Sequence, residues 1–169
     1  MFGTKRIPDK KILLGTLFLR YFGLVKVPML FYIRPRLMEW TADRVVFKLP
    51  LNRRTKNHLG SMYFGALAAG ADLAAGFAAV AAIRESGEPI SFVFKDVKGE
   101  FLKRAEGDAH FTCDDVGMVT DLVEKARETG ERVELVVPVV VTVPSKLGDE
   151  PVARFALTLS LKRKSDTPL

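Results

Sequence analysis

From Ser61 to Ile83 the chain carries a single acid or base, Asp72, apart from the phenol of Tyr63. More than twenty apolar residues without a proline can only be a membrane span or a helix enclosed by a core. Alanine and glycine dominate the run and add little insertion energy compared with leucine or isoleucine. The reading is therefore a helix over about 62–84, buried inside a soluble fold, with Ser61 as its N-cap. A carboxylate buried on such a helix costs several kcal/mol unless something pairs with it or uses it. The residues alone leave two roles open for Asp72: a reactive acid, or a structural aspartate held by a backbone amide or a partner chain.

The flanking segments alternate as a soluble sheet does. Short strands are expected at Leu37–Glu39 and Arg44–Leu49, where Val45, Phe47 and Leu49 share a face. After Gly87–Pro89 a long strand over Ile90–Arg104 is predicted, bulged near Gly99, and then a shorter one over Asp108–Cys113. Helical spacing over Asp114–Gly130, with acids in its first turn and Gly130 at its end, predicts a second helix. Val133, Leu135, Val137, Val139, Val141 and Val143 alternate through the next strand, where Pro138 implies an edge or a bulge. A turn at Pro144–Glu150 leads to a last strand over Val152–Lys162. Ahead of all this, residues 8–31 read as an amphipathic helix followed by a short irregular or second helical piece, closed by Arg34-Pro35. The division expected is an N-terminal helical extension (1–34), one main domain (35–164) and a tail (165–169).

At 169 residues, 48% hydrophobic and 27% charged, the composition is that of a folded domain with a real core. Cys113 is the only cysteine, so no intrachain disulfide is available and a reducing cytoplasm fits; with two histidines, His58 and His110, no zinc-ligand spacing exists. The apolar Ile12–Leu19 resembles a signal-peptide core, but Arg20 interrupts it and no clear cleavage site follows. Residues 1–60 hold 13 Lys/Arg against 3 Asp/Glu, whereas residues 61–169 hold 13 against 17. A basic first third points to an anionic ligand, an anionic membrane surface or plain solvated charge. No nucleic-acid-binding signature accompanies it.

Within Asn57–Gly76 the spacing is specific. Asn57 and Gly60 form an Asn-x-x-Gly, Gly65 stands at the expected helix start, and Asp72 follows seven residues later. This pattern resembles the hotdog-fold acyl-CoA thioesterases, of the phenylacetate-pathway type and an uncharacterised branch, a domain of unknown function, related to it. The family's His-Gly is Tyr63-Phe64 here. The resemblance implies an α+β hotdog fold, an antiparallel sheet wrapped around the long helix, assembled as a homodimer or homotetramer. It implies hydrolysis of an acyl-CoA or acyl-carrier-protein thioester, with Asp72 as general base or nucleophile and Asn57 orienting the water or the acid. Backbone amides near Gly65 would hold the oxyanion, since a helix start presents unpaired N–H groups and glycine admits close approach. No cofactor is implied beyond the coenzyme A moiety of the substrate.

Gly60, Ser61, Tyr63 and Phe64 would line the substrate, and Arg53, Arg54 and Lys56 would meet the phosphates of coenzyme A. Two other readings compete. His58 and Asp72 could serve as the acid–base pair of a hotdog hydratase or dehydratase, although the proline-glycine punctuation of that subfamily is missing. Alternatively, the protein binds an acyl thioester or lipid without turnover, as the Tyr63-Phe64 departure and the apolar extension suggest. The N-terminal helix is expected either to cover an acyl tunnel or to make a peripheral membrane contact. His110 is assigned to structure.

Overall fold

The computed structural model describes residues 9–164, with side chains from residue 12 onward. The expected tail at 165–169 and the first eight residues of the extension lie outside the described residues. The elements are α1 (Asp9–Val25), α2 (Pro28–Ile33), β1 (Arg36–Trp40), β2 (Val45–Leu49), α3 (Phe64–Ser86), β3 (Ile90–Phe101), β4 (Ala109–Cys113), α4 (Val116–Thr129), β5 (Val133–Thr142), α5 (Pro144–Leu147) and β6 (Pro151–Arg163). The six strands form one antiparallel sheet in the order β1-β2-β4-β5-β6-β3.

This sheet curls about α3, which touches β2, β4, β5, β6 and β3. Eleven residues of α3 are buried, most of them alanine or glycine. Small side chains are what let the strands approach so closely: a Cβ on Gly70 would lie 2.4 Å from Cζ of Phe111 on β4. The long apolar stretch is thus the core of a wrapped sheet, as expected. Alternation holds on β5, where Val133, Val137, Val139, Val141 and the following Val143 are buried. Pro138 pairs with Ala156 of β6, while pairing to β4 stops at Val140. Its half of β5 is a local edge, where a missing N–H costs no ladder bond.

Four local expectations are corrected. The N-cap of α3 is Tyr63, with no side-chain cap, not Ser61. The β3 irregularity falls between Phe94 and Asp96 rather than near Gly99, whose pairing with Phe155 is regular. No acid lies in the first turn of α4; Asp114 and Asp115 precede it, and Asp114 pairs with Arg44 at 3.4 Å. Finally, the Pro144–Glu150 turn contains the short helix α5.

Helices α1 and α2 pack on the β1 side of the molecule. Gly23 allows α1 to touch the α2 backbone, where a Cβ would meet the Phe31 nitrogen at 2.6 Å. The hydroxyl of Thr16 accepts from the Leu37 N–H at 3.2 Å, occupying part of the β1 edge. Leu19, Leu30 and Ile33 join the main core, whereas Leu13, Leu17, Tyr21, Leu24, Met29 and Tyr32 remain exposed. At the opposite margin of the sheet β3 is an edge strand of twelve residues, hydrogen-bonded to β6 on one side.

Candidate active site

The segment leading into α3 is built by its own polar groups. Asn57 Oδ1 accepts the Leu59 N–H at 2.9 Å, and the Asn57 carbonyl accepts the Gly60 N–H at 3.1 Å. Gly60 takes φ +83, a conformation glycine adopts without a Cβ penalty. The Asn57 side-chain amide donates to the Ser61 hydroxyl at 3.1 Å, and that hydroxyl donates to Asn57 Oδ1 at 3.3 Å. Asn57 and the buried Ser61 therefore spend their hydrogen bonds on closing this turn. His58 and Leu59 are exposed at its tip. Two further backbone bonds fix the start of the helix: Met62 N–H to the Ala105 carbonyl at 2.8 Å, and Tyr63 N–H to that of Thr55 at 2.7 Å.

At the first turn of α3, the Ala66 and Leu67 N–H groups donate to the Tyr63 carbonyl. Among the described residues the N–H groups of Phe64 and Gly65 have no acceptor, so they carry the positive end of a 23-residue helix. Tyr63 and Phe64, both exposed, pack ring to ring at 4.8 Å. The Tyr63 ring lies against Gly65, 2.6 Å from where a Cβ would stand.

Two helical turns further, Asp72 departs from the expectation of a buried carboxylate. Its side chain is exposed in the single chain, yet the apolar surroundings still remove enough water to push its pKa up. No hydrogen bond or ion pair of the described residues satisfies it. It forms part of the wall of a cavity of about 360 Å³, otherwise lined by apolar groups from α1 and α2 (Phe18, Phe22, Leu30), α3 (Gly76, Phe77) and β3 (Phe92). A second cavity of about 400 Å³ adjoins it, sharing Phe18, Phe77 and Val80 and reaching Trp40 and Arg84. The Phe18 ring lies between them under the Arg84 guanidinium, 4.8 Å from the ring centre.

Asp72 is thus placed in a pocket, while Asn57, Gly60, Ser61, Tyr63, Phe64 and Gly65 gather at the amide end of α3, outside that cavity. Seven residues of helix separate Gly65 from Asp72 by about 10 Å. Arg53, Arg54 and Lys56 are exposed, and Arg54 stacks over Tyr32, 5.6 Å from the ring centre. His58 does not reach the Asp72 cavity. Half-buried His110 has its pKa lowered by burial and then by Lys48. Among the described residues no group of three or more His, Cys, Asp or Glu is placed to hold a metal ion. Sequence reasoning missed the contribution of Phe18, Phe22 and Leu30; the Phe18/Phe22 spacing, one helical turn, was the available signal.

A family model described as a domain of unknown function, DUF4442, matches residues 15–161. No curated protein matches the chain. Solved structures superpose over nearly its whole length. A protein of unknown function from Chlorobaculum tepidum has a TM-score of 0.76 at 12% identity, over 90% of this chain and 97% of its own. A Pseudomonas aeruginosa protein described as a probable thioesterase has 0.69 at 23% identity, over 96% and 100%. A Haemophilus influenzae thioesterase has 0.64 at 13% identity, over 96% of each chain.

Proposed function

The chain belongs to the DUF4442 family, a hotdog-fold domain of unknown function, and from that premise we propose that it hydrolyses an acyl thioester carried by coenzyme A or an acyl-carrier protein. One observation carries the reading: an unpartnered carboxyl, Asp72, on the wall of an apolar cavity that an acyl chain can fill. At about 30 Å³ per water-sized group, a cavity of about 360 Å³ accepts on the order of ten such groups. A medium-length apolar acyl chain is the ligand of that size and character.

In the proposed reaction the Asp72 carboxylate takes a proton from water as the water oxygen bonds to the thioester carbon. The carbonyl oxygen becomes an oxyanion, and the free N–H groups of Phe64 and Gly65 are suited to hold it. Collapse breaks the C–S bond, and the thiolate leaves with the proton that Asp72 received. The resemblance to hotdog thioesterases implies a site that combines Asp72 of one protomer with the α3 start of a second, in a homodimer or a pair of such dimers. Within one chain the two groups lie about 10 Å apart along the helix. The β3 edge, which pairs with no further strand among the described residues, is a surface through which two sheets can join.

The test is hydrolysis of a panel of acyl-CoA esters by the wild type and Asp72→Asn. A folded variant is expected to lose at least about a hundredfold in kcat/KM; unchanged turnover removes Asp72 from the mechanism. One observation favours binding without turnover as a second reading, namely the Tyr63 ring lying over Gly65. Acyl-CoA binding with no hydrolysis in the wild type, and hydrolysis gained in Tyr63→His, would select it.

A further inference from the structure

We propose that Arg20, Arg34, Arg36 and Arg54 form a phosphate-binding site where α1, the C-terminal turn of α2, the start of β1 and the 52–57 loop meet. Its ligand is a phosphomonoester or diphosphate group. Arg20 Nη2 donates to the Arg34 carbonyl at 3.1 Å, and Arg54 Nη1 donates to the Tyr32 carbonyl at 3.5 Å. Those carbonyls are two residues apart, so one turn of chain anchors both guanidinium groups. Arg34 closes α2 in the left-handed conformation, φ 54, with its N–H on the Leu30 carbonyl, and Arg36 follows two residues on.

Nothing anionic answers these four charges among the described residues. Seven ion pairs are present, and none includes any of them. Arg20 Nη1 is the one buried side-chain nitrogen or oxygen there without a partner. Burial first, then repulsion from Arg34, Arg36 and Arg54, holds the Arg20 guanidinium below its ordinary pKa. Like charges gathered around a half-buried cation are costly, and a bound anion relieves both effects. The planar guanidinium fork matches two phosphate oxygens at once, so arginine rather than lysine is the residue such a ligand requires. Each anchored group spends few of its five donors on a carbonyl, leaving the others for the anion.

The phosphate can come from a soluble nucleotide or from the headgroup of an anionic phospholipid, since Tyr21, Leu24 and Tyr32 nearby are exposed and apolar. The site stands whether or not the protein hydrolyses thioesters, and its test needs no turnover. The full chain is titrated with pyrophosphate and with 3′,5′-adenosine diphosphate, following heat and Tm. It is also sedimented with phosphatidylglycerol or phosphatidylcholine vesicles.

A soluble source is expected to raise Tm by about 5 °C at a hundredfold excess over Kd. A headgroup source gives sedimentation with phosphatidylglycerol vesicles only. In either case Arg36→Gln and Arg54→Gln weaken binding about tenfold or more. Arg20→Gln separates ligand from brace: without anion its Tm is expected to equal or exceed that of the wild type, and the anion-induced rise disappears. A fall in Tm with an unchanged anion response would make Arg20 a structural tie and overturn its place in the site. Failure to bind any of these probes, or binding that survives Arg36→Gln and Arg54→Gln, overturns the whole proposal.

Discussion

Asp72 combines exposure with an apolar setting, and that combination yields two pH-dependent outcomes. Loss of water to its apolar surroundings raises its pKa in the folded chain. If the ionised form is the general base, the acidic limb of kcat/KM should turn at a pH above the ordinary carboxylate range. Stability runs the other way. A carboxyl whose folded pKa exceeds its unfolded one stabilises fully below the unfolded pKa, and that contribution is lost as pH rises through the folded pKa. Asp72→Asn is therefore expected to raise Tm near pH 7, with the difference shrinking as pH falls toward 4. Thermal unfolding of both proteins across that range checks it; a lower Tm for Asp72→Asn at pH 7 would give the carboxylate a stabilising partner.

Helix α3 performs two tasks that its small residues divide along its length. Toward its middle, Gly70 makes room for Phe111, which is fully buried. Valine there would force that ring aside, and Gly70→Val is expected to destabilise by about 2–3 kcal/mol in urea unfolding. Gly76 faces the cavity, where an added Cβ would sit 3.4 Å from Phe94, an ordinary contact. Gly76→Ala should therefore leave stability unchanged or raise it by up to about 1 kcal/mol. The adjoining α1 supplies the partition. Phe18→Ala opens the first cavity into the second, and hydrolysis or binding is then expected to shift toward longer acyl chains. Trp40, the only tryptophan, lines the second cavity and gives a fluorescence change when a longer chain reaches it. An unaltered chain-length profile would place the acyl group elsewhere.

The assembly is where the proposed chemistry becomes complete. One chain presents a free amide end and a carboxyl about 10 Å apart, two halves that a symmetric pair can bring together. Mixing two inactive variants, Asp72→Asn and Gly65→Val, should restore hydrolysis. Each mixed dimer then holds one intact site, which amounts to about a quarter of wild-type activity after random exchange. No recovery would mean that both groups act within one chain, or that one of them does not act. At the other margin, Thr16 and α1 cover part of the β1 edge, and β3 is the edge strand that pairs with no further strand among the described residues.

The run of small apolar residues around Asp72, the period-two alternation of β5 and the glycines at helix ends were legible from neighbouring residues alone. Propensity and periodicity are local, which is why the element order could be read without coordinates, whereas the wrap of the sheet around α3 was implied by the resemblance to the hotdog family. Other features required chain segments distant in sequence to meet. Tyr63 rather than Ser61 begins α3 because Asn57 draws the Ser61 hydroxyl into its own turn. Asp72 opens on a cavity because α1 and α2 fold back over α3 and β3, bringing Phe18 and Phe22 to its wall. Arg20, Arg34 and Arg54 meet because α2 turns its last carbonyls toward α1 and the 52–57 loop. Spacing along a chain states which groups are available, whereas burial, charge repulsion and the closing of a cavity depend on through-space distance, which only packing sets.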